Sequence, residues 1–325
     1  MEPLYPLIFQ PRFKERVWGG RRLEALYGKR LPPDVPIGES WEISDRPGDE
    51  SVIANGPLAG RTLRALMNDR AAEVLGTATP TAEGRFPLLC KILDARDRLS
   101  LQVHPPERAA HLGEPKTEMW YIAAADPGAE LFVGLKAGVS RDHFEQAIDS
   151  GEVADCFHRV AVRAGDAMFL PSGRVHAIGS GLVIFEIQQN SDTTFRVHDW
   201  NRVGLDGKPR ELHVAASLES IDFGDVAPAL IRPQTVDAGA FLVRPLVDHP
   251  LIHTDLVEAA ETAEFDPDAA RFHVVAVTNG ALVVRGGGIS VSLSPGDFCL
   301  LPASVGEATI SASAGARFLM AGAGR

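Results

Sequence analysis

The feature that most restricts this 325-residue chain is a spacing. Gly165, Pro171, Gly173 and His176 stand in GDAMFLPSGRVH as a glycine, five residues, Pro-x-Gly, two residues and a histidine. Glycine opens a turn, Pro-x-Gly makes a tight corner, and the apolar run between them has the length of a short strand. Such closely spaced breakers do not fit a helix. The stretch demands antiparallel β-structure, and it delivers the His176 imidazole to an interior at the start of the strand after the corner.

An earlier stretch supplies what could complete a metal site. Gln102 and His104 in LSLQVHP are two apart, and residues i and i+2 of a strand share a face. Glu118 follows in KTEMWYI and would balance part of a divalent charge. The expected ligand set is Gln102, His104, Glu118 and His176. Two imidazoles with two oxygen donors suit Zn²⁺, and they also suit Mn²⁺, Fe²⁺ or Co²⁺, because no thiolate narrows the choice.

Composition sets the surroundings. The net charge of −11 disfavours nucleic acid as a partner, and an anionic small molecule would need a local basic pocket. The 31 glycines and 23 prolines are spread along the chain, as many turns between short strands would require. Cys90, Cys156 and Cys299 lie far apart in apolar settings, which reads as reduced, buried thiols. The first residues lack the pattern of a signal peptide and no apolar run approaches a membrane span, so a soluble, cytoplasmic protein is expected.

In chain order, we expect an edge strand and a small helix at Arg21–Tyr27, then a strand at Glu39–Ser44. Trp18 and Trp41 beside them read as core or as the wall of a site. Residues 62–75 read as an amphipathic helix capped by Thr62 and closed by Gly76. Strands follow at Phe86–Asp94, interrupted by Lys91 and Asp94, and at Leu99–His104, then a short helix between Glu107 and Pro115. Lys116 leads into the strand of Glu118, Trp120 and Ile122, and Leu131–Leu135 is the next. The segment SRDHFEQAIDSGEVADCFHRV reads as helical, with Ser140 as its cap. A turn at DGKP and a helix at Glu211–Ser220 precede a Pro-rich connector, and almost everything after it reads as strand and turn.

The motif recurs. GDAMFLP at 165–171 faces GDFCLLP at 296–302, but the position equivalent to His176 is Glu307, and no pair like Gln102 with His104 appears in the late part. The spacing resembles the second signature of the cupins. It implies a mainly β chain of two cupin-type β-barrels (jelly rolls) with helical insertions, the second without metal ligands. The expected units are residues 1–235, catalytic, and 236–325, degenerate, with a structural or dimer-forming role for the latter.

Lys116, two residues from Glu118, and Arg196, in SDTTFRVHDW, would repel a dication unless something anionic sat between them. The segments LSLQVHP, KTEMWYI, LPSGRVHAIG and QQNSDTTFRVHDWNR, with VWGG, GESWEIS and RELHVAASLE, resemble the type I mannose-6-phosphate isomerases, above all the shorter bacterial form. That resemblance implies zinc-dependent interconversion of mannose 6-phosphate and fructose 6-phosphate through an enediolate. It puts the four ligands on Gln102, His104, Glu118 and His176, the active-site arginine on Arg196, and the lysine before the glutamate on Lys116. Where some members carry a proton-carrying histidine just before that lysine, this chain has Pro115. Glu186, in LVIFEIQQ, is then a candidate base or a partner holding His176 or Lys116, and Ser100 and Arg202 are candidate phosphate binders. Two rival readings are a cupin oxygenase using Fe²⁺ and a non-catalytic sugar-phosphate sensor. A monomer or homodimer acting on a small sugar phosphate, with no nucleic acid or membrane, is the expected setting.

Overall fold

The computed structural model describes residues 3–324. Its first eleven described strands are β1 (Arg12–Gly20), β2 (Ile37–Ile43), β3 (Leu88–Ala95), β4 (Leu101–Val103), β5 (Glu118–Ala125), β6 (Glu130–Leu135), β7 (Phe157–Ala161), β8 (Ala167–Leu170), β9 (His176–Ile178), β10 (Leu182–Gln189) and β11 (Phe195–His198). They form two antiparallel sheets, ordered β1-β2-β3-β10-β5-β8 and β11-β4-β9-β6-β7.

Ten more follow: β12 (Val236–Ala238), β13 (Phe241–His249), β14 (Ile252–Ala259), β15 (Ala263–Phe265), β16 (His273–Asn279), β17 (Leu282–Gly286), β18 (Ile289–Leu293), β19 (Phe298–Leu301), β20 (Thr309–Ala312) and β21 (Arg317–Gly322). Their sheets run β12-β13-β14-β21-β16-β19 and β15-β20-β17-β18, which is the first order moved eleven strands along the chain, without a counterpart for β11. The sequence repeat is thus also a repeat of topology, with β19 at the place of β8.

The central strands are buried on both faces, which explains their nearly unbroken apolar runs. Along β10, Val183, Phe185 and Ile187 join a core that takes in the late sheets, while Leu182 and Ile184 join a separate core with Trp18 and Trp120. Phe185 stacks on Phe298 at a centroid distance of 5.5 Å, with Tyr27 edge-on at 5.7 Å. The amino-terminal segment crosses to the late half, where Leu7 pairs with Leu300 through two backbone hydrogen bonds of 2.8 and 2.9 Å. The face of the first sheet opposite that packing holds the polar residues of the site.

Most expected elements are present. The helix α1 spans Arg22–Tyr27, and α2 spans Leu63–Leu75, where the Thr62 hydroxyl accepts a bond from the Ala65 amide. Cys90, Cys156 and Cys299 are buried and unpaired. Three helical readings are corrected. The helix α3 (Arg141–Ser150), capped by Ser140, stops at left-handed Gly151. Beyond a 3₁₀ turn, Phe157–Ala161 is strand β7, because it pairs with β6. The helix α4 begins at Val214, not Glu211, because the preceding backbone is tied sideways: the Glu211 carbonyl accepts from Arg196 Nη1 and the His213 amide donates to the Arg196 carbonyl. Between Glu107 and Pro115 there is only a 3₁₀ turn, Glu107–Ala109. Among the described residues no helix is long and apolar enough to cross a membrane.

Candidate metal centre and active-site cavity

The Gly165 to His176 corner works as its spacing suggests. Gly165 and Gly173 both take φ of 91°, a left-handed region that costs glycine nothing. The Gly173 amide donates to the His104 carbonyl, so the corner is pinned to the end of β4. Gln102 and His176 are then register partners across β4 and β9. Glu118 opens β5, opposite Leu170 of β8 and Gln188 of β10.

One donor atom from each of His104, Glu118 and His176 lies within 4.8 Å of the others, and all three residues are buried. Backbone carbonyls fix the rings: Nδ1 of His104 is 2.7 Å from the Thr193 oxygen, and Nδ1 of His176 is 2.9 Å from the Arg174 oxygen. Each Nδ1 therefore carries the proton and each Nε2 turns a lone pair to the centre. His104 Nε2 is 3.3 Å and His176 Nε2 3.9 Å from the Glu118 carboxylate. Gln102 closes the group, its amide nitrogen 3.3 Å from His176 Nε2 and its oxygen 3.3 Å from the Ser100 hydroxyl. A half-turn of the amide exchanges those two atoms.

The electrostatics keep these groups in ligand form. Burial, then the Lys116 charge, lowers the His104 pKa, while burial and His104 bring His176 down to about 3. Burial alone would raise Glu118, but Lys116 and the two histidines hold it well below the usual carboxylate range. Both Glu118 oxygens are buried without a well-directed hydrogen bond, although the Lys116 ammonium is 2.5 Å from one of them. Two neutral imidazoles, an amide and an under-satisfied carboxylate fit a divalent metal of the zinc type.

Gln102 and Lys116, which touch His176 and Glu118, also line a cavity of about 410 Å³, so the buried cluster sits just behind its wall. Of the expected site residues, Ser100, Gln102, Lys116, Glu186 and Arg196 line it. Arg196 bonds the Glu211 carbonyl through Nη1 at 2.7 Å, and its buried Nε has no partner. Burial and the neighbouring Arg210 lower its pKa. Arg202 is not brought to the cavity wall; it lies 2.9 Å from Asp199 and 3.6 Å from Asp97. The loop instead presents Arg210, bonded to the same Asp199.

Apart from Glu186, sequence reasoning did not assign to this site a line of charges that runs along the first sheet. Glu39 receives Arg16 Nε at 2.8 Å and Trp41 Nε1 at 2.6 Å, with Lys91 Nζ at 3.8 Å. Lys91 in turn is 3.4 Å from Glu186, which accepts from Trp120 Nε1 at 2.8 Å. Burial and the Glu118 charge push the Glu186 pKa up, whereas Lys116 stays an ammonium because Glu118 and Glu186 outweigh its burial. The signal was there: Lys91 breaks an apolar run in a strand buried on both faces, as Glu186 does beside it.

Residues 7–138 match the family model of the phosphomannose isomerase type I catalytic domain. Over 311 residues the chain is 35% identical to the probable mannose-6-phosphate isomerase GmuF of Bacillus subtilis, covering 94% of this chain and 96% of that one. The chain belongs to the type I phosphomannose isomerase family. Within the phosphomannose isomerases of known structure, the Bacillus subtilis mannose 6-phosphate isomerase superposes with a TM-score of 0.89 at 31% identity, over 98% of this chain and 99% of that one. A zinc-bound mannose 6-phosphate isomerase shares the fold at 19% identity and a TM-score of 0.78, over 98% of this chain and all of its own.

Proposed function

We propose that the protein interconverts mannose 6-phosphate and fructose 6-phosphate, with a divalent metal, Zn²⁺ by preference, held by Gln102, His104, Glu118 and His176. The observation that carries this reading is the buried His104, Glu118 and His176 cluster, joined through Gln102 and Lys116 to a cavity walled by Arg196 and Arg210. Bound there, a dication supplies a Lewis acid for the two oxygens of the open-chain sugar.

The chain's own groups do the rest. Arg196, with an unused Nε donor, stabilises the negative charge that develops when the proton leaves C2, or grips the phosphate. Lys116 remains cationic and serves as a donor in ring opening. Glu186, with its raised pKa, carries the proton between C2 and C1, and Trp120 orients it. Ser100 holds the Gln102 amide and faces the sugar. Pro115 stands where some relatives carry a histidine, so the proton path runs on the Glu186 side.

The fold reading at this finer level is two cupin barrels, residues 1–235 and 236–325, the second a scaffold without ligands. The eleven-strand offset in sheet order supports it, as does the single cluster able to hold a metal among the described residues. The cytoplasm is the proposed compartment.

The test couples fructose 6-phosphate formation to reduction of a nicotinamide nucleotide, with elemental analysis of the same sample. Turnover of mannose 6-phosphate with about one metal per chain is expected, while inactivity at full metal loading would overturn the assignment. His176→Ala should lose metal and turnover together. Stoichiometric metal in that variant would show the ligand set to be wrong.

A further inference from the structure

A second cavity, about 570 Å³, lies away from the metal cluster, where the turn before β8 meets β13, β14 and β21 of the late half. Four arginines line it, Arg163 from the turn, Arg232 from the connector, Arg244 from β13 and Arg317 from β21, against two acids, Asp166 and Glu258. Both acids are already engaged. Asp166 accepts from Arg232 at 2.6 Å and from the Arg163 amide at 2.9 Å, and Glu258 accepts from Arg317 at 2.9 Å, its register partner. No hydrogen bond or ion pair within the described residues engages the guanidinium of Arg163 or that of Arg244.

The wall therefore carries an excess of two positive charges in a chain whose net charge is −11. A concentration of one sign against the overall balance focuses the field on an anion of opposite sign. Guanidinium groups match the paired oxygens of a phosphate better than ammonium groups do, and none of the four is a lysine. The two engaged arginines are about half exposed or more, 63% for Arg232 and 48% for Arg317, so their ion pairs are weak and can be shared with an incoming anion at small cost. The volume also exceeds that of a bare phosphate, leaving room for an organic part.

We infer that this cavity is a second anion site, separate from the catalytic one, that takes a dianionic phosphate monoester. An occupant would clamp the turn to the late sheet. That turn is bonded to β5 through the Ile122 amide to the Asp166 carbonyl at 2.9 Å and the Gly165 amide to the Ile122 carbonyl at 2.8 Å. The strand so held begins with Glu118.

Calorimetric titration of the metal-loaded protein with inorganic phosphate and with glycerol 3-phosphate tests this. Two classes of site are expected, with the ester the tighter ligand at this one. The double substitution Arg163→Ala with Arg244→Ala should weaken one class at least tenfold, while kcat and KM for mannose 6-phosphate in phosphate-free buffer stay within about twofold. Arg163→Lys with Arg244→Lys keeps the charge and should lose part of the affinity, which separates fork recognition from charge alone. Arg196→Ala should leave this class untouched. A single class in the wild type, or two that the double substitution leaves unchanged, would overturn the proposal. Tighter binding of inorganic phosphate than of the ester would overturn the ligand class.

Discussion

Glu39→Gln is the sharpest test of how the cavity floor is held together, because it keeps the side chain's shape and removes its charge. Glu39 is 8% exposed, and burial alone would raise its pKa; the charges of Lys91 and Arg16, with bonds from Trp41 and Arg16, bring it from 4.5 to about 2. A shift of that size corresponds to about 3 kcal/mol of folding free energy at neutral pH. The substitution strands no cation, since Lys91 keeps Glu186 at 3.4 Å and Arg16 is 32% exposed to water. The loss should therefore stay near 3 kcal/mol rather than the larger cost of an abandoned buried charge. The sign follows from the depressed pKa: the contribution is complete above the unfolded value of 4.5 and fades as pH falls toward 2. At about pH 3 only about 1 kcal/mol should remain. Urea denaturation of both proteins across this range reads the difference directly. A variant within about 0.5 kcal/mol of wild type at neutral pH, or a gap that does not narrow in acid, would show that the two cations do not hold Glu39 as described.

Arg196→Ala should retain its metal by elemental analysis and lower turnover by at least about 10²-fold, the scale of one electrostatic donor; full activity would remove Arg196 from the chemistry. Phe185→Ala should cost about 3–5 kcal/mol in urea denaturation, because the ring is fully buried between Tyr27 and Phe298 where the two halves pack. A loss below about 1 kcal/mol would mean that this contact collapses onto the gap.

The sequence exposed those parts of the site whose position is set locally. His176 follows a corner that glycine and proline dictate, and Gln102 and His104 share a face because a strand alternates. Glu118 could be placed for the same reason. The remainder depends on pairing between distant strands. Arg16 and Glu39 reach the cavity only because β1 and β2 extend the sheet beyond β3, which no local period announces. Lys91 was visible as an interruption, but its meaning needed the partner across the ladder, since Lys91 and Glu186 are register neighbours. The exchange of Arg202 for Arg210 has another origin. Both arginines bond Asp199, and only the fold of the intervening hairpin, with Val203 paired to Pro209, decides which one turns inward. The over-long helix at residues 141–160 came from reading through Gly151, whose left-handed backbone ends it.

The two charge systems of the cavity divide the work by depth. Below, the buried anions are matched in series, Glu39 by Arg16 and Lys91, Glu186 by Lys91, and Glu118 just behind the wall by Lys116, so each carboxylate there has a cation beside it. Nearer the surface, Glu15 and Asp192 are exposed, where water and salt screen them, whereas Arg196 is half-buried with a free Nε. A substrate with a neutral polyol at one end and a dianion at the other meets matched surroundings at both. A neutral sugar would leave the Arg196 Nε without an anion, so unphosphorylated mannose should turn over far more slowly than mannose 6-phosphate in an assay of ketose formation, and equal turnover would refute this reading.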